Sequence, residues 1–532
     1  MSSFAGTRAL VRLALRRDRV ILPVFLAVVV LMVASGASAT IALYPDAASR
    51  SQAVTLINSA ASTLAMYGPI RDPNSIGALS IFKLGMMGVL AVAVFAARIV
   101  VRHTRAEEET GRLELLGAAV VGRRAPLTAG AIVSVGASVV AGLLSAAGLF
   151  AAGLPGTGSA LFGAGMAAVG ILGAAFGAVA AQITMSARAA AGIATAAIAV
   201  AYAVRGVADA APDGALAWLS WCSPLGWWQQ IRPYAGDRAW PLALIVALAV
   251  VLLAAAYALA TRRDFAGSLV ADRAGRAGGA RWLRSPLGLV WRLQRGSFAV
   301  WVASFAVVGV VFGSLSGSAG DFLDSPGARD LFEKFGGVGF VTDAFLSVEM
   351  AFVGIAAAVF GLQSALRARA EETSLRAEPV LATATTRVRW LGAHLVAALV
   401  ATVALLVVVG VTAGLTSAAS VDTPHQFWRV LTAGLIQAPA VFVVIGIGIA
   451  GFGIAGRLGV SGWVALSTFV ILGEFGRLLS LPQWLIDLSP FAHTPRLPGA
   501  PLSWIPVAWL AAIALGLFGV GLARFRARDV SS

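Results

Sequence analysis

The stretch 126–153, PLTAGAIVSVGASVVAGLLSAAGLFAAG, contains no charged residue and consists largely of Ala, Gly, Leu and Val. At 1.5 Å per residue, a helix of this length exceeds the hydrocarbon core of a bilayer, which is about 30 Å thick. Within lipid, only a helix satisfies the backbone polar groups inside a single segment. The stretch therefore predicts a membrane-spanning helix.

Stretches of the same kind recur along the whole chain of 532 residues, in which hydrophobic residues make up 59% and charged residues only 12%. We predict twelve spans, at residues 20–43, 76–101, 126–153, 158–185, 188–210, 239–261, 297–317, 344–366, 391–418, 428–455, 459–481 and 503–523. Small residues such as Gly173, Gly177, Gly446 and Gly453 in these spans favour close helix packing. The sequence thus predicts an all-α, polytopic membrane protein without a large soluble domain.

The net charge of +15 is distributed unevenly between the two sides that the predicted spans define. The loops on one side, with both termini, hold 29 Arg and 11 acidic residues, and the rest of the chain holds 11 basic and 14 acidic residues. Positive loops remain in the cytoplasm. We therefore predict a multi-pass protein of the cell membrane with both termini cytoplasmic, and we assign no nucleic-acid partner to the basic charge.

An internal repeat follows the second and eighth predicted spans. When the chain is shifted by 264 residues, Arg105–Ala129 matches Arg369–Ala393 at ten of 25 positions, several of them charged. Shorter echoes occur elsewhere, such as Ser223-Pro224 with Ser489-Pro490, and Arg263-Asp264 with Arg528-Asp529. These matches predict two parallel repeats of six helices each.

We call Arg105–Arg123 and Arg369–Arg387 the first and second charged segments. Glu108 with Arg112, and Glu372 with Arg376, have the i, i+4 spacing of a helical ion pair. A solvated loop would explain one such segment, but charges kept in both copies favour docking of a soluble protein. The predicted docking residues are Glu107, Glu108, Arg112, Glu114, Arg123, Glu371, Glu372, Arg376, Glu378 and Arg387.

The charged segments resemble the cytoplasmic motif of ABC-2 type exporter permeases. More narrowly, with Pro286-Leu287-Gly288-Leu289 in the linker, the chain resembles the fused actinobacterial group named for tetronasin transport. The resemblance implies a type V exporter fold in which Glu107–Arg123 and Glu371–Arg387 are coupling helices seated in two ATP-binding subunits. It also implies hydrophobic antibiotics, including polyether ionophores, as substrates of a multidrug efflux system.

The same resemblance implies an amphipathic elbow helix at Ala9–Arg19, with Arg12, Arg16 and Arg19 on one face. Five regions follow from this interpretation: an elbow region, the first six-helix half, a cytoplasmic linker with a second elbow helix, the second half and a cytoplasmic tail. Their bounds are residues 1–19, 20–261, 262–296, 297–523 and 524–532.

The chain has no P-loop of its own. Its two lysines, Lys83 and Lys334, are followed by Leu84 and Phe335, whereas a P-loop lysine is followed by Ser or Thr. The chain is therefore not a complete ATPase, and its energy must come from a partner or from an ion gradient. The resemblance implies a transporter permease that is not an enzyme and holds no cofactor, with ATP and magnesium bound by partner subunits, two copies of one ATPase. The single Cys222 excludes an intramolecular disulfide, and the four histidines show no metal-binding spacing.

Several ionisable side chains fall within the predicted spans, where they need a partner or a wet cavity. Arg205 with Asp209, and Glu474 with Arg477, have the spacing of local ion pairs that stabilise an outer rim. Lys83 and Glu349 occupy similar places in the second and eighth spans, and we predict that they pair and help close the exit.

A lipophilic substrate requires an apolar, adaptable cavity. The candidate lining residues lie on the second and eighth spans, where ordinary packing is the alternative role: Phe82, Met86, Met87, Phe345, Met350 and Phe352. Trp-rich segments before the last span of each half, such as Trp218–Trp228, predict interfacial anchors.

The main alternative is a secondary drug transporter of the major facilitator type, which also has six plus six helices and uses an ion gradient. Asp272-Arg273-Ala274-Gly275-Arg276 echoes that family's signature loop. The signature belongs between the second and third spans, however, whereas this passage lies in the central linker. The position favours the exporter permease.

Overall fold

The computed structural model describes residues 2–59, 61–112, 121–210, 216–262, 278–318, 338–420, 425–475 and 482–529. The chain forms two compact units, Met1–Ala274 and Gly275–Ser532. Every regular element in the described ranges is helical. Twelve helical segments among them are long and apolar enough to cross a membrane, and they follow the order of the twelve predicted spans.

The α-helices in the described part of unit 1 are α1 Thr7–Arg17, α2 Ile21–Leu43, α3 Ala47–Ser59, α4 Ala61–Tyr67, α5 Ile76–Ile81, α6 Lys83–His103, α7 Arg105–Glu109, α8 Ala125–Ala151, α9 Gly156–Ile183, α10 Ala187–Ala210, α11 Pro224–Gln229 and α12 Pro241–Arg262. The most buried span, α9, packs against α6, α8, α10 and α12. Its Gly173 and Gly177 meet the backbone of Ala93 and Ala97 so closely that an added Cβ would lie 2.2 and 2.4 Å from their carbonyl oxygens. The predicted role of small residues in close packing is confirmed here.

Within its described ranges, unit 2 has the α-helices α13 Pro286–Ser318, α14 Val338–Ala365, α15 Arg367–Thr373, α16 Ala377–Leu381, α17 Arg387–Ser420, α18 Gln426–Leu435, α19 Ala438–Ile454, α20 Ser461–Val470, α21 Gln483–Ile486 and α22 Trp504–Ala527. Among the described helices of unit 2, α13 and α17 have the most extensive contact with each other. Helix α19 packs against both α14 and α22. At the crossing of α19 and α22, Gly453 approaches the backbone of Gly521, where an added Cβ would lie 2.2 Å from the carbonyl oxygen.

Several boundaries differ from the predicted ones. The second span is divided at Phe82 into α5 and α6, and the tenth is divided between Leu435 and Ala438 into α18 and α19. The eleventh begins as α20 and continues as a π-helical turn, Ile471–Phe475. In the described part of the predicted linker, residues 278–296, a 3₁₀ helix at Arg281–Arg284 is followed by α13, which is continuous from Pro286 into the seventh span. The predicted second elbow helix stays a prediction. Residues 263–277 lie outside the described ranges.

The predicted elbow helix exists as α1 but begins at Thr7 and ends at Arg17. Arg12 and Arg16 are exposed on it, whereas Arg19 lies beyond its end. Ala14, on the other side of the helix, is buried with Leu22, Ile99 and Val133 in a small apolar cluster. The helix is therefore amphipathic, with its small apolar face on the bundle.

Candidate functional site

The first charged segment begins with a buried arginine. The Arg105 side chain is 1% exposed, and its Nε and Nη2 donate to the carbonyl of Ala181, at 2.9 and 2.6 Å. Ala181 lies in the last turn of α9, where backbone carbonyls lack helical partners and a cation is favoured. Nη1 of Arg105 lies 2.7 Å from Glu108. Arg105 therefore joins the start of α7 to the end of the most buried span.

The elbow helix α1 holds the same segment from its other side. Asp18, fully buried just beyond α1, lies 2.5 Å from Nε2 of His103 and 3.1 Å from Nε of Arg102. Arg17 forms an ion pair with Glu107. These contacts join the N-terminal helix to the end of α6 and the start of α7 through two carboxylates.

The N-terminal residues also bind the far end of the first charged segment. The backbone N–H of Gly122 donates to the carbonyl of Ala5 at 2.9 Å, and that of Arg124 donates to Ser3 at 3.0 Å. The segment is therefore fixed at both described ends by the chain that precedes the first span.

The second charged segment is held by the end of the chain instead. Glu372, of which the side chain is 4% exposed, forms an ion pair with Arg528, just beyond α22. The guanidinium of Arg528 also lies over the rings of Phe452 and Phe525, at 5.0 and 5.2 Å. Arg387 donates to the carbonyl of Arg528. The second charged segment is therefore held in place by an arginine that follows the last helix, whereas the first is held by the N-terminal helix.

The two charged segments share one local backbone structure. The N–H of Thr110 donates to Ala106 and that of Gly111 donates to Glu108, and Ser374 and Leu375 make the matching bonds to Ala370 and Glu372, all 264 residues later. Gly111 has φ 70° and its counterpart Leu375 has φ 59°. A left-handed leucine is uncommon, so the same turn forms in both copies despite the loss of glycine in the second.

A continuous helix over the second charged segment, as predicted, is wrong. The turn at Leu375 separates α15 from α16, and α16 itself spans only Ala377–Leu381. In the first segment, α7 ends at Glu109. Residues 113–120, including Glu114, lie outside the described ranges. Positive φ at Gly111 and Leu375 is incompatible with a continuing right-handed helix, which accounts for the breaks.

The predicted docking residues divide into two groups. Glu107, Glu108, Glu371 and Glu372 face ion-pair partners inside the chain: Glu371 pairs with Arg367 at 3.6 Å, and the others pair as described above. Glu108 pairs with Arg105 and Glu372 pairs with Arg528, in place of the predicted partners Arg112 and Arg376. Arg112 lies 3.9 Å from Glu107 instead. The second group consists of surface residues: Arg112, Arg123, Arg376 and Glu378 are exposed, and Arg387 is half-buried.

Some residues of the site carried no readable signal in the sequence. Asp18, His103 and Arg17 are not part of the repeat, and Asp18 is separated from His103 by 85 residues. Glu109 accepts the backbone N–H of Ala187 at 2.8 Å and so links the segment to α10. Arg528 did have a signal, because Arg528-Asp529 echoes Arg263-Asp264, but nothing in that echo identifies Glu372 as its partner.

Arg205 and Asp209, predicted to pair within the fifth span, form an ion pair, and their role at an outer rim stays a prediction. Nη1 of Arg205 lies 3.2 Å from Asp209, with the two side chains 0% and 6% exposed. Nη2 of Arg205 also donates to the carbonyls of Ala65 and Met66, at 2.7 and 2.9 Å. The pair therefore fastens α4, in the connection between the first two spans, onto α10. Of the second predicted pair, Arg477 lies outside the described ranges and Glu474 is described only in its backbone.

The predicted cavity residues have different surroundings. Met86 and Met350 are fully buried in the apolar clusters of their units, which is the packing role. Met87 is half-buried and Phe352 is 47% exposed, and Phe82 lines a pocket of unit 1. The side chain of Phe345 lies outside the described part of the chain.

Lys83 and Glu349 belong to different units. The ammonium of Lys83 lies over the ring of Tyr67, 5.9 Å from its centroid. Glu349 is half-buried on α14. Their pairing stays a prediction.

The Trp-rich segments form short helices and turns. Trp218 and Trp221, on a 3₁₀ helix Ala217–Cys222, are 62% and 41% exposed, and Trp484 on α21 is 67% exposed. Trp228 is buried. Exposed Trp at the ends of apolar helices is typical of headgroup depth.

Twelve apolar helices define the chain as an all-helical, multi-pass membrane protein. Residues 283–526 match the family model described as the C-terminal domain of the multidrug efflux system permease Rv1217c. The chain is also 40% identical, over 532 residues, to the multidrug efflux system permease protein Rv1217c of Mycobacterium tuberculosis (strain ATCC 25618 / H37Rv), an alignment that covers 99% of this chain and 96% of that relative. The chain belongs to this family of multidrug efflux permeases.

Proposed function

We propose that this chain is the permease subunit of an ATP-driven exporter of hydrophobic antibiotics or other lipophilic compounds. Separate subunits, two copies of one protein, bind ATP and magnesium and dock on the two charged segments. Membership in a multidrug efflux permease family supports efflux. The ATP-driven part rests on the resemblance of the charged segments to ABC-2 type exporters and on the lack of a P-loop in the sequence.

The observation that carries the proposal is the identical turn in the two charged segments. Gly111 and Leu375 adopt the same left-handed conformation after matching short helices. Two copies of one partner need two surfaces of like shape. A repeated surface that ends in the same turn, with an exposed arginine directly after it, meets that requirement.

The structure suggests a division of roles within each segment. Buried carboxylates such as Glu372 position the segment on its bundle, because a buried ion pair that loses one partner is strongly destabilised. The exposed Arg112 and its counterpart Arg376 are proposed to contact the ATP-binding subunit. ATP can shift the permease between two arrangements only by favouring one of them. A charged segment held rigidly on its bundle would pass the movement of the ATP-binding subunit on to the spans.

In this proposal both termini and both charged segments lie in the cytoplasm. The charge asymmetry of the loops supports that orientation. Of the predicted substrate-lining residues, Met86 and Met350 are fully buried and have a packing role in their own units, which leaves Phe82, Met87 and Phe352 as candidates to contact substrate.

The test uses the permease in lipid nanodiscs together with an ATP-binding subunit that copurifies with it. Charge reversal at the exposed positions, Arg112→Glu with Arg376→Glu, is expected to reduce drug-stimulated ATP hydrolysis about tenfold through like-charge repulsion or loss of pairing. Arg16→Glu with Arg526→Glu is the matched control, because both arginines are exposed on helices that end on the same predicted side. Stimulation should be unchanged in the control.

Equal stimulation in the charge-reversed permease and its control would overturn the docking assignment. Transport that persists without any ATPase, and that a protonophore abolishes, would overturn the ATP-driven mechanism in favour of a secondary transporter.

A further inference from the structure

A pocket on unit 1 combines cationic and aromatic side chains. It opens beside the break between α5 and α6 and is bordered by the loop that precedes α12. We call it the basic pocket and define it by six of its lining residues: Tyr67, Arg71, Ile81, Phe82, Trp228 and Arg232. It is separate from the charged segments, which contribute no residue to its lining.

The charge of the basic pocket is not balanced by neighbouring carboxylates. In the ranges that the structure describes, no carboxylate lies within 4.0 Å of the guanidinium of Arg71, Arg232 or Arg238. Arg232 donates instead to the neutral amide oxygen of Gln230, at 3.3 and 3.0 Å. Arg71 interacts electrostatically with Asp209, but that carboxylate is already paired with Arg205. The pocket therefore retains a surplus of positive charge.

The guanidinium groups also repel one another. Burial lowers the pKa of Arg232, and the positive charges of Arg71 and Arg238 lower it further. A guanidinium remains protonated despite such a shift. An anion bound between Arg71 and Arg232 would relieve this repulsion. Relief of the repulsion makes the free energy of binding more favourable for an anion than for a neutral ligand.

The loop that carries Arg232 is tightly constrained. The N–H of Arg238 donates to Ile231 at 2.7 Å, that of Asp237 donates to Arg232 at 3.2 Å, and that of Tyr234 donates to the carboxylate of Asp237 at 2.7 Å. Arg232, Tyr234 and Asp237 all have positive φ, at 51°, 62° and 43°. Non-glycine residues persist in that region only when their surroundings determine it. The position of Arg232 is therefore fixed in advance of binding.

Apolar surface adjoins the cations. The rings of Tyr67 and Phe82 meet edge to face, with centroids 5.3 Å apart, and the ammonium of Lys83 lies over Tyr67. Ile81 and Trp228 are buried beside them. A ligand that reached both arginines would lie with its remaining atoms against this surface.

We propose that the basic pocket binds an anionic amphiphile, whose carboxylate, sulfonate or phosphate contacts Arg71 and Arg232 while its apolar body packs on Tyr67, Ile81 and Phe82. Two sources supply this chemistry: an acidic compound carried by the transporter, and an anionic phospholipid of the membrane. Binding here does not depend on how transport is driven, so it can be tested apart from the proposed function.

The experiment measures binding of naphthalene-2-sulfonate by equilibrium dialysis, with the full-length protein in nanodiscs of phosphatidylcholine. Naphthalene-2-methanol is the neutral analogue. Charge-assisted hydrogen bonds are roughly twice as strong as neutral ones, so the sulfonate should bind about tenfold more tightly. Arg71→Gln with Arg232→Gln should remove that preference, whereas Arg238→Gln, which removes one positive charge from the neighbouring surface, should retain it.

Arg71→Lys with Arg232→Lys keeps the charge and should recover part of the sulfonate affinity, which separates loss of charge from loss of fold. Nanodiscs that contain phosphatidylglycerol identify the source. Displacement of the probe would assign the pocket to phospholipid, and undiminished binding would assign it to a transported acid; both outcomes support an anion site. Equal affinity for the sulfonate and the alcohol, or unchanged sulfonate affinity in the Arg→Gln double variant, would overturn the inference.

Discussion

Nη2 of Arg528 lies 2.7 Å from both carboxylate oxygens of Glu372, across 156 residues of chain. The arginine lies just beyond α22, and the glutamate lies in the second charged segment. The phenyl rings of Phe452 and Phe525 cover the guanidinium, so the pair is largely shielded from water. The position of the second charged segment therefore depends on a residue at the far end of the chain.

Arg528→Ala is expected to destabilise unit 2 by about 3 kcal/mol, because it leaves the Glu372 carboxylate buried without a counter-charge. Thermal unfolding in detergent measures the loss. Arg526→Ala removes an exposed arginine two residues away and should leave the midpoint unchanged. The double variant Arg528→Ala with Glu372→Gln should regain part of the stability. Additive losses in the double variant would show that the two side chains do not interact.

In unit 1 the same positional role falls to Asp18. Asp18→Ala leaves His103 and Arg102 without their shared acceptor and should loosen the N-terminal helix on the end of α6, although Arg17 still pairs with Glu107. We expect faster proteolysis of the N-terminal region and a loss of about 2 kcal/mol of stability. Arg16→Ala, on the exposed face of α1, is the control. An N-terminus as protease-resistant in Asp18→Ala as in the control would contradict this role.

A third prediction concerns Arg205, which serves both Asp209 and the carbonyls of Ala65 and Met66. Arg205→Met should cost about 3–5 kcal/mol, because it leaves a buried carboxylate unpaired. Tyr202→Phe removes the hydroxyl that donates to the carbonyl of Met66 but keeps the ring beneath the Arg205 guanidinium, and should cost about 1 kcal/mol. Unfolding midpoints of the two variants give the comparison. Equal losses would mean that the ion pair contributes no more than the hydroxyl.

The serines of the repeated Ser-Pro pair, Ser223 and Ser489, make similar hydrogen bonds in the two halves. The hydroxyl of Ser223 donates to the carbonyl of Ala201 at 2.6 Å, and that of Ser489 donates to Phe469 at 3.1 Å. Each bond fastens the segment before the last span of its half to the preceding span. Ser223→Ala and Ser489→Ala should each cost about 1 kcal/mol, measured by thermal unfolding. Ser35→Ala is the control, since its exposed hydroxyl bonds only within its own helix. A loss confined to one of the two serines would show that the echo lacks a common structural role.

Features encoded locally could be predicted from the sequence, and features that depend on distant residues could not. The spans follow from uncharged stretches, and the Arg205–Asp209 pair follows from its i, i+4 spacing. The pairing of Glu372 with Arg528 brings together residues with no shared pattern. The turn at Leu375 also escaped prediction, because leucine gives no sign of a left-handed backbone, although Gly111 in the first copy permits it. A charge kept in both repeats therefore indicated an important position but not its partner.

The stability of the folded chain should fall at high pH because of Tyr234. Its hydroxyl lies 2.7 Å from that of Ser159, and burial raises its pKa from 10.0 to about 12. Below pH 10 the phenol is protonated in both folded and unfolded chains, so its contribution to stability is fully present there. Between pH 10 and about 12 the unfolded chain ionises first, which favours unfolding, and the contribution is lost as the pH passes the folded value.

The unfolding midpoint should therefore fall more between pH 9 and pH 11 in the wild type than in Tyr234→Phe, which cannot ionise at this position. Tyr257→Phe is the control, because it removes a phenol that likewise bonds a hydroxyl, that of Thr128. At pH 9 the Tyr234→Phe protein should be less stable than the wild type, since it lacks the bond to Ser159. An equal fall in the wild type and Tyr234→Phe would show that Tyr234 ionises in the folded chain as readily as in the unfolded one.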